Sequence, residues 1–286
     1  MIETLVTSGY SVSLVCRLLG FNRARYYRQK QGAVRAGKIA GKDDRSELDV
    51  IEKIKEISLS HPYWGSRRVT NWLSKRKGIL INRKRTQRIM REHNLILKVR
   101  KKPASRESNR RKPRPSRSYQ WWGIDMTKFM VDSLGWIYLV AVVDWYSRKV
   151  VGYAVGRNCG SDLWIATLEQ AVMSEFPEGS REENLFLMSD NGSQPTSGKF
   201  MNVAGLLGIQ QAFTAYSNPK GNANTERWFR TVKEDCIWLH EWESFKQVQT
   251  DITNYIKFYN NEYVHSALEG MSPNEFLKCE ALKKAA

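Results

Sequence analysis

Apolar residues in the first hundred positions of the chain recur every three or four residues, which is the spacing of amphipathic helices. Residues 3–29 are predicted to form two or three short helices with the outline of a helix-turn-helix, and a plain helical hairpin fits them nearly as well. A longer helix begins near Leu48 and has to end before Pro62, because the residue that precedes a proline disfavours helical backbone. The first part of the chain is therefore expected to be all-helical.

Two more helices are predicted over 66–77 and 83–92. Gly78 ends the first and Asn82 is placed to cap the second. The second helix is too highly charged to be buried, and its basic residues are Arg83, Lys84, Arg85, Arg88 and Arg91. We expect this helix to occupy a groove of DNA; a merely solvated helix face is the alternative.

After residue 118 the pattern changes to apolar stretches that alternate with amphipathic helices. Five strands are predicted over 120–131, 135–144, 149–156, 184–190 and 209–213, and helices over 161–176, 197–207, 221–240 and 244–259. Three strands in succession followed by alternation indicate a mixed sheet, antiparallel first and parallel later. The order predicts an α/β, ribonuclease-H-like core with a mixed five-stranded sheet and helices on both faces, preceded by small all-helical helix-turn-helix segments.

These changes of pattern divide the chain into six segments. We expect a helix-turn-helix-like segment over 1–30, a linker over 31–47 and a helical DNA-binding domain over 48–98. A flexible basic linker over 99–118, a catalytic core over 119–240 and a helical extension of that core over 241–286 follow. The basic linker is rich in arginine, lysine and proline and almost free of apolar residues, so it can follow a phosphate backbone. Lys101 and Lys102 are its candidate DNA contacts.

Positive charge is concentrated in the amino-terminal part. Residues 1–118 contain 31 Lys and Arg against 9 Asp and Glu, whereas residues 119–286 contain 15 against 20. The first part can therefore bind a polyanion through contacts to phosphate, and the second part supplies carboxylates. Charge alone would fit a ribosomal or RNA-binding protein as well as a DNA-binding one.

The composition argues against secretion and membrane insertion. The sequence has no run of about 18 apolar residues and no signal-peptide pattern at its start. The cysteines form no CxxC pair, and no histidine lies at zinc-ligand spacing from them; they are Cys16, Cys159, Cys236 and Cys279. These features predict a cytoplasmic protein with reduced thiols.

Three carboxylates stand in contexts that belong together. Asp125 and Asp190 each follow an apolar run, and Glu226 opens a predicted helix. Their spacing alone is weak evidence, because a chain with 29 acidic residues contains many such triples. Two carboxylates at the ends of buried strands and a third on a helix can hold two divalent cations, which keep the attacking and leaving oxygens of a phosphodiester in line. The pattern predicts cleavage and joining of DNA.

The helix that follows Gly221 carries cations beside its carboxylate. Glu226, Arg230 and Lys233 lie at positions i, i+4 and i+7 and so share one helix face. This arrangement places phosphate-binding cations next to a metal ligand, and Asn222 is a further candidate for contact with DNA. The alternative is an ordinary surface ion pair between Glu226 and Arg230.

Two other polar residues invite a functional interpretation. Asp144 ends a predicted strand and precedes Ser147, so a role in a turn or an ion pair is favoured over metal binding. His265, in the segment VHSAL, is a candidate for DNA contact, but a packed or capping histidine is the favoured interpretation.

The motifs around the three carboxylates resemble the DDE transposase/integrase superfamily, with its retroviral-integrase-like catalytic core, and most closely the OrfB transposases of IS-three-type bacterial insertion sequences. The resemblance rests on WWGIDMT, VVDWYSRKVVGY, SDNGSQ, GNANTERWFRTVKED and YNNEYVHSALEGMSPNEF. Met188 and Pro195 depart from residues that are common at their positions in that family. Neither residue is a candidate metal ligand, so the departures leave the predicted chemistry unchanged.

The resemblance implies that Asp125 binds two metal ions and that Asp190 and Glu226 each complete one of the two sites. Oxygen-only ligands suit Mg²⁺ or Mn²⁺. The resemblance also implies a homo-oligomer on double-stranded DNA, namely the terminal inverted repeats of an element and a target, in the nucleoid of a bacterial cytoplasm. No covalent enzyme–DNA intermediate is needed.

Members of that family often act as a fusion with an upstream product that carries a helix-turn-helix and a leucine zipper, and this chain shows no zipper heptads. Besides a self-sufficient transposase, the alternatives are the catalytic half of a longer fusion, a DNA-binding regulator without chemistry, and a nuclease that cuts without joining. Metal-dependent strand transfer is the activity that separates them.

Overall fold

The computed structural model describes residues 2–8, 11–19, 27, 44–97, 113–214 and 222–285. The chain divides into two compact units, Met1–Glu56 and Ile57–Ala286. The first unit contains two short helices, α1 (Ile2–Thr7) and α2 (Val12–Leu18), which contact each other. They agree with the short helices that the apolar spacing predicts for this part of the chain.

A longer helix, α3 (Asp44–Ser60), starts four residues before the position that its apolar pattern predicted. Periodicity placed its start near Leu48, with 31–47 as a linker. The first turn contains Glu47, whose charge suits the positive end of the helix dipole. Because that turn has no apolar residue, the periodicity could not reveal it.

The predicted helix pair is present as α4 (Ser66–Lys77) and α5 (Arg83–Glu92). Gly78 ends α4 with a φ of 66°, which glycine adopts without steric cost. The Asn82 side chain accepts a hydrogen bond from the backbone N–H of Lys84 at 2.8 Å. Both predicted helix boundaries are therefore confirmed, and the buried residues of the pair are Val69, Leu73, Thr86, Ile89 and Met90.

Five strands form one mixed sheet in the order β3-β2-β1-β4-β5. Their bounds are β1 (Trp121–Val131), β2 (Gly135–Asp144), β3 (Val150–Gly156), β4 (Phe186–Ser189) and β5 (Gln210–Phe213). The first three strands pair antiparallel, whereas β4 runs parallel to both β1 and β5. The predicted ribonuclease-H-like, mixed five-stranded sheet is confirmed.

Helices cover both faces of this sheet. They are α6 (Ser161–Glu175), α7 (Gly198–Leu206), α8 (Ala223–Asp235), α9 (Phe245–Asn261) and α10 (Pro273–Ala285). Side chains alternate between the two faces of a strand, so Trp122 and Ile124 join the apolar core with Trp164 of α6. Gly123 faces the opposite way, towards Thr225 of α8.

The helical region before the sheet packs on the carboxyl-terminal helices within the second unit. Trp64 donates a hydrogen bond from Nε1 to Oδ2 of Asp235 at 3.0 Å. The guanidinium of Arg76 bonds to both carboxylate oxygens of Glu275, at 2.6 and 2.8 Å, and to the carbonyl oxygen of Glu262. Side-chain contacts within this unit therefore join the segments 48–98 and 241–286.

The end of the basic linker is also tied to the core. The Nη2 of Arg117 donates to the carbonyl oxygen of Glu183 at 2.6 Å, and the backbone N–H of Ser116 donates to Gln120 Oε1 at 2.8 Å. A linker flexible throughout 99–118 was expected, but its last residues are held by these bonds. In the described ranges no helix is long and apolar enough to cross a membrane, and the four cysteines are unpaired.

Candidate active site

Asp125 and Asp190 lie at the same level of the sheet. The parallel pairing of β1 with β4 matches Trp121 with Phe186 and Gly123 with Met188. The same offset of 65 positions places Asp190, the residue after β4, level with Asp125 on β1. The spacing noted in the sequence is thus the register of two neighbouring strands.

Local hydrogen bonds hold both aspartates. The Oδ1 of Asp125 accepts the backbone N–H of Met126 at 2.8 Å, and the Oδ1 of Asp190 accepts that of Gly192 at 3.0 Å. The neighbouring Asn191 donates from Nδ2 to the carbonyl oxygen of Thr214, just beyond β5, at 2.6 Å. The turn after β4 is therefore anchored, and the Asp190 side chain stays exposed at the edge of the site.

Glu226 lies in the first turn of α8 and is exposed. The start of this helix approaches β1 very closely at Gly123. A Cβ atom there would lie 2.1 Å from Thr225 Oγ1, 2.4 Å from Trp145 Nε1 and 2.6 Å from Asn222 Oδ1. Only a residue without a side chain allows this contact. The contact places the residue before Glu226 against the strand that carries Asp125.

Electrostatics link the three carboxylates. Burial raises the pKa of Asp125 to about 7, although the hydrogen bond from Met126 lowers this pKa. The charges of Asp190 and Glu226 also raise it, and the charge of Lys233 lowers it. Burial also raises the pKa of Glu226. In the part of the chain that the structure describes, no three His, Cys, Asp or Glu side chains form a ready-made metal site. The charges of Asp190 and Glu226 therefore act on Asp125, but the three side chains do not form a closed set of ligands.

Asn222 does not reach the surface, contrary to the expectation that it contacts DNA. Its side chain is 4% exposed, and its Nδ2 donates to the carbonyl oxygen of Ile124 at 3.1 Å. In the sequence it looked like an exposed polar residue ahead of a helix, but the absence of a side chain at Gly123 makes room for it inside. The glycine within the apolar run WWGID was the one signal of such a close approach.

Three residues near the site were missed by the sequence analysis. Gly123 permits the approach of α8, and Trp145 donates from Nε1 to the Oγ1 of Thr225 at 3.2 Å. Trp145 follows β2, and Thr225 is fully buried. Their role depends on contact between strands and a helix that are about 80 to 100 positions apart, which no local pattern indicates.

The two cations predicted on the Glu226 face of α8 differ in their surroundings. Lys233 is close enough to Asp125 to lower the pKa of that carboxyl. Arg230 donates from Nε to the Oε1 of Glu234 at 2.7 Å. The surface pair on this helix thus joins Arg230 to Glu234, one turn later than the alternative pair with Glu226.

The basic helix α5 presents its charges to solvent. Thr86, Ile89 and Met90 are buried, and the residues on the opposite side of the helix are Lys84, Arg88 and Arg91, all exposed. Arg83 is also exposed, whereas Arg85 is half-buried. Arg88 lies 3.6 Å from Glu92. Lys101 and Lys102, the other predicted DNA contacts of this region, lie outside the described residues.

Asp144 has the turn role that its sequence context favours. Its carboxylate is fully buried and accepts the backbone N–H of Tyr119 at 2.9 Å, the N–H of Ser147 at 2.8 Å and the hydroxyl of Ser147 at 2.6 Å. With these donors in place, Asp144 closes the turn after β2.

Three family models match this chain. Residues 115–219 and 207–273 match two models described as integrase core domain, and residues 45–103 match one described as an HTH-like domain. The chain therefore contains an integrase core domain preceded by an HTH-like domain. The resemblance inferred from the motifs is confirmed, and the described part of 45–103 contains the helix pair α4–α5.

Proteins of bacterial insertion elements are similar to this chain over most of its length. An uncharacterized 31 kDa protein of insertion element IS600 from Shigella sonnei is 27% identical, over 92% of this chain and 97% of that protein. Transposase InsD for insertion element IS2D of Escherichia coli (strain K12) is also 27% identical, over 98% and 95%. Among solved structures, the catalytic core domain of BIV integrase is similar over 58% of this chain and 99% of that chain, with 20% identity and a TM-score of 0.44.

Proposed function

We propose that this protein is a DNA transposase that cleaves the ends of a mobile element and joins them to target DNA through Asp125, Asp190 and Glu226. The observation that carries the proposal is that Asp190, Glu226 and Lys233 are near enough to Asp125 for their charges to act on its carboxyl, where β1, β4 and α8 come together. Its substrates are the double-stranded terminal repeats of the element and the target duplex, in a bacterial nucleoid.

The residues of this site fit divalent metal ions. All three side chains offer only oxygen atoms, which suit Mg²⁺ or Mn²⁺. Burial, together with the charges of Asp190 and Glu226, holds the pKa of Asp125 above its usual range, and a bound cation would relieve the repulsion between the carboxylates. Asp125 would contribute to two metal sites, with Asp190 completing one and Glu226 the other. Two such ions would activate the attacking hydroxyl group and stabilise the leaving oxygen.

The chain itself supplies positioning and charge. The strand register fixes Asp125 level with Asp190, and the contact at Gly123 fixes the start of α8 beside them. Lys233 places a cation next to Asp125, where it can bind a phosphate oxygen near the scissile bond. The exposed basic side of α5 binds the DNA of the element end, and the polypeptide forms no covalent bond to DNA.

We further propose that the protein acts as a homo-oligomer, because two element ends have to be joined to one target. The upstream product that accompanies many members of the family is a candidate fusion or partner. The six segments expected from the sequence remain the proposed organisation, with 119–240 as catalytic core and 48–98 as DNA-binding region.

The test is a strand-cleavage and strand-transfer assay on DNA that carries the terminal repeats, with Mg²⁺ or Mn²⁺. Glu226→Gln, Asp125→Asn and Asp190→Asn are expected to abolish cleavage and joining while DNA binding is retained. The matched control is Glu169→Gln, because Glu169 is an exposed carboxylate of α6, on the other face of the sheet; this variant is expected to retain full activity.

The outcomes separate the alternatives. Joined products that disappear in all three variants and persist in Glu169→Gln support the proposal. Cleavage without joining indicates a nuclease, and DNA binding without either reaction indicates a regulator or the catalytic part of a longer fusion. Wild-type rates in any of the three variants would show that the metal ligands are wrongly assigned.

A further inference from the structure

A second cationic site lies on the other flank of α8. A cavity of about 300 Å³ is lined by three arginines, Arg68, Arg148 and Arg227, together with His265. These residues come from α4, the turn after β2, α8 and the segment after α9. Among the described residues that line the cavity, none is acidic.

The geometry of α8 separates this cavity from the three carboxylates. The helix buries Trp228, Phe229 and Val232. Glu226 and Lys233 lie on one flank of that buried face. Arg227 and the other α8 residues that line the cavity lie on the opposite flank. A strand of nucleic acid that crosses the exposed ridge of α8 can therefore reach the carboxylates on one side and the cavity on the other.

The positive charge in the cavity is only partly neutralised. Arg68 lies 3.7 Å from Asp235, and its guanidinium stacks over the ring of Tyr263 at 4.8 Å. Arg148 and Arg227 form no ion pair with any residue in the described ranges. Burial lowers the pKa of Arg148, against the charge of Asp144. A desolvated arginine without a carboxylate partner calls for an anionic ligand.

His265 adds a hydrogen-bonding group to the cavity wall. Its Nε2 is buried and has no hydrogen-bond partner in the part of the chain that the structure describes. The ring packs against Tyr259 and Tyr263, with centroid distances of 5.0 and 4.8 Å. Burial, together with the charges of Arg68 and Arg148, lowers the pKa of His265 to about 3, so the ring is neutral near pH 7. A neutral imidazole can donate one N–H to an oxygen of a phosphate.

A second depression next to this cavity is also basic. A neighbouring cavity of about 220 Å³ shares Arg148 with the first and adds Arg114. Arg114 belongs to the last part of the basic linker. The linings of the two cavities together contain four arginines.

We propose that the cavity formed by Arg68, Arg148, Arg227 and His265 binds a backbone phosphate of a DNA strand, at a site separate from the three carboxylates. The guanidinium groups neutralise the phosphate, and the N–H of His265 donates to one of its oxygens. The assignment of this phosphate to DNA rests on the proposed transposase function. The binding of phosphate itself does not depend on that function.

Histidine-selective ¹⁵N NMR tests the proposal, because the chain has only four histidines. The ring signal of His265, assigned with His265→Gln, is followed in metal-free buffer while inorganic phosphate or a short DNA duplex is added. Both additions are expected to shift it. Arg227→Gln should weaken the response to each ligand about tenfold, the usual effect of removing a charged hydrogen bond.

The control variant is Arg181→Gln, which removes an exposed arginine near α7 that bonds to the carbonyl oxygen of Leu206. It is expected to leave both responses unchanged. A shift with phosphate but not with DNA would overturn the assignment to DNA and leave a site for free phosphate. No shift with either ligand would overturn the proposal entirely. Because the measurement needs neither metal nor strand cleavage, its failure is distinguishable from failure of the proposed catalytic function.

Discussion

The Nδ2 of Asn222 donates a hydrogen bond to the carbonyl oxygen of Ile124, 3.1 Å away. This bond joins the residue ahead of α8 to the residue that precedes Asp125. The Asn222 side chain also occupies space next to Gly123, whose missing side chain permits the close approach of α8 to β1. The separation of Asp125 from Glu226 therefore depends on a buried amide that takes no part in the chemistry.

We predict that Asn222→Ala slows strand cleavage at saturating DNA by about tenfold or more while leaving the Kd for DNA unchanged. Loss of the amide leaves the Ile124 carbonyl oxygen without its partner, which costs about 1–3 kcal/mol, and loosens the start of α8. Cleavage kinetics and fluorescence anisotropy on the same substrate measure the two effects. A variant with weakened DNA binding and normal cleavage would instead make Asn222 a DNA contact.

Gly123→Ala is expected to be more damaging than its small size suggests. The new methyl group would lie within 2.6 Å of three side-chain atoms of Thr225, Trp145 and Asn222, so α8 has to move. We expect a loss of about 1–3 kcal/mol in the free energy of unfolding, typical of overpacking, and loss of strand transfer. Urea denaturation and the strand-transfer assay measure these quantities.

The matched control for that substitution is Gly198→Ala, at the first position of α7. No atom outside its own neighbours lies within 4 Å of a Cβ atom at Gly198. Alanine there should be neutral or slightly stabilising, because it restricts the unfolded chain. If Gly123→Ala and Gly198→Ala have the same free energy of unfolding and the same strand-transfer activity, the close approach at Gly123 has no role in function.

The exposed side of α5 should contribute to DNA affinity and take no part in strand cleavage or joining. Replacing Lys84, Arg88 and Arg91 singly by Ala is expected to weaken binding and to reduce the slope of log Kd against log salt by about one for each lost phosphate contact. The control is Lys246→Ala, an exposed residue in the first turn of α9. Unchanged affinity and slope in all three variants would make this surface merely solvated.

His265 should make stability fall at low pH. Its pKa is about 3 in the folded chain and about 6.5 in the unfolded chain. Between these two pH values the unfolded state binds a proton at this residue and the folded state does not. The stabilisation from a neutral His265 is full above about pH 6.5. It is lost as the pH falls towards the folded pKa, by at most about 1.4 kcal/mol per pH unit.

The measurement is the difference in unfolding free energy between wild type and His265→Gln from pH 7.5 to pH 5. Asp125, whose pKa is raised, acts in the opposite direction, but its contribution is common to both proteins and cancels. A wild-type advantage that stays constant over this range would show that His265 is protonated as readily in the folded protein as in the unfolded chain.

Much of the framework was predictable from the sequence. Apolar runs and the alternation of apolar with polar residues revealed the five strands, because the residues on the buried faces of a strand are apolar in its own local sequence. Gly78 and Asn82 revealed the boundaries of α4 and α5 because capping is a local interaction. The positions of Asp125 and Asp190 at strand ends were visible for the same reason, and their offset of 65 positions is the register of β1 with β4.

Tertiary structure decided what the neighbouring side chains do. Asn222, predicted to contact DNA, is buried because Gly123, about 100 positions earlier, leaves space for it. Arg230 pairs with Glu234 although Glu226 is equally near in sequence. The cavity that contains Arg148 and His265 draws on four distant segments. Sequence periodicity reports which face of an element is buried, whereas the partner on that face depends on long-range packing that only the folded chain specifies.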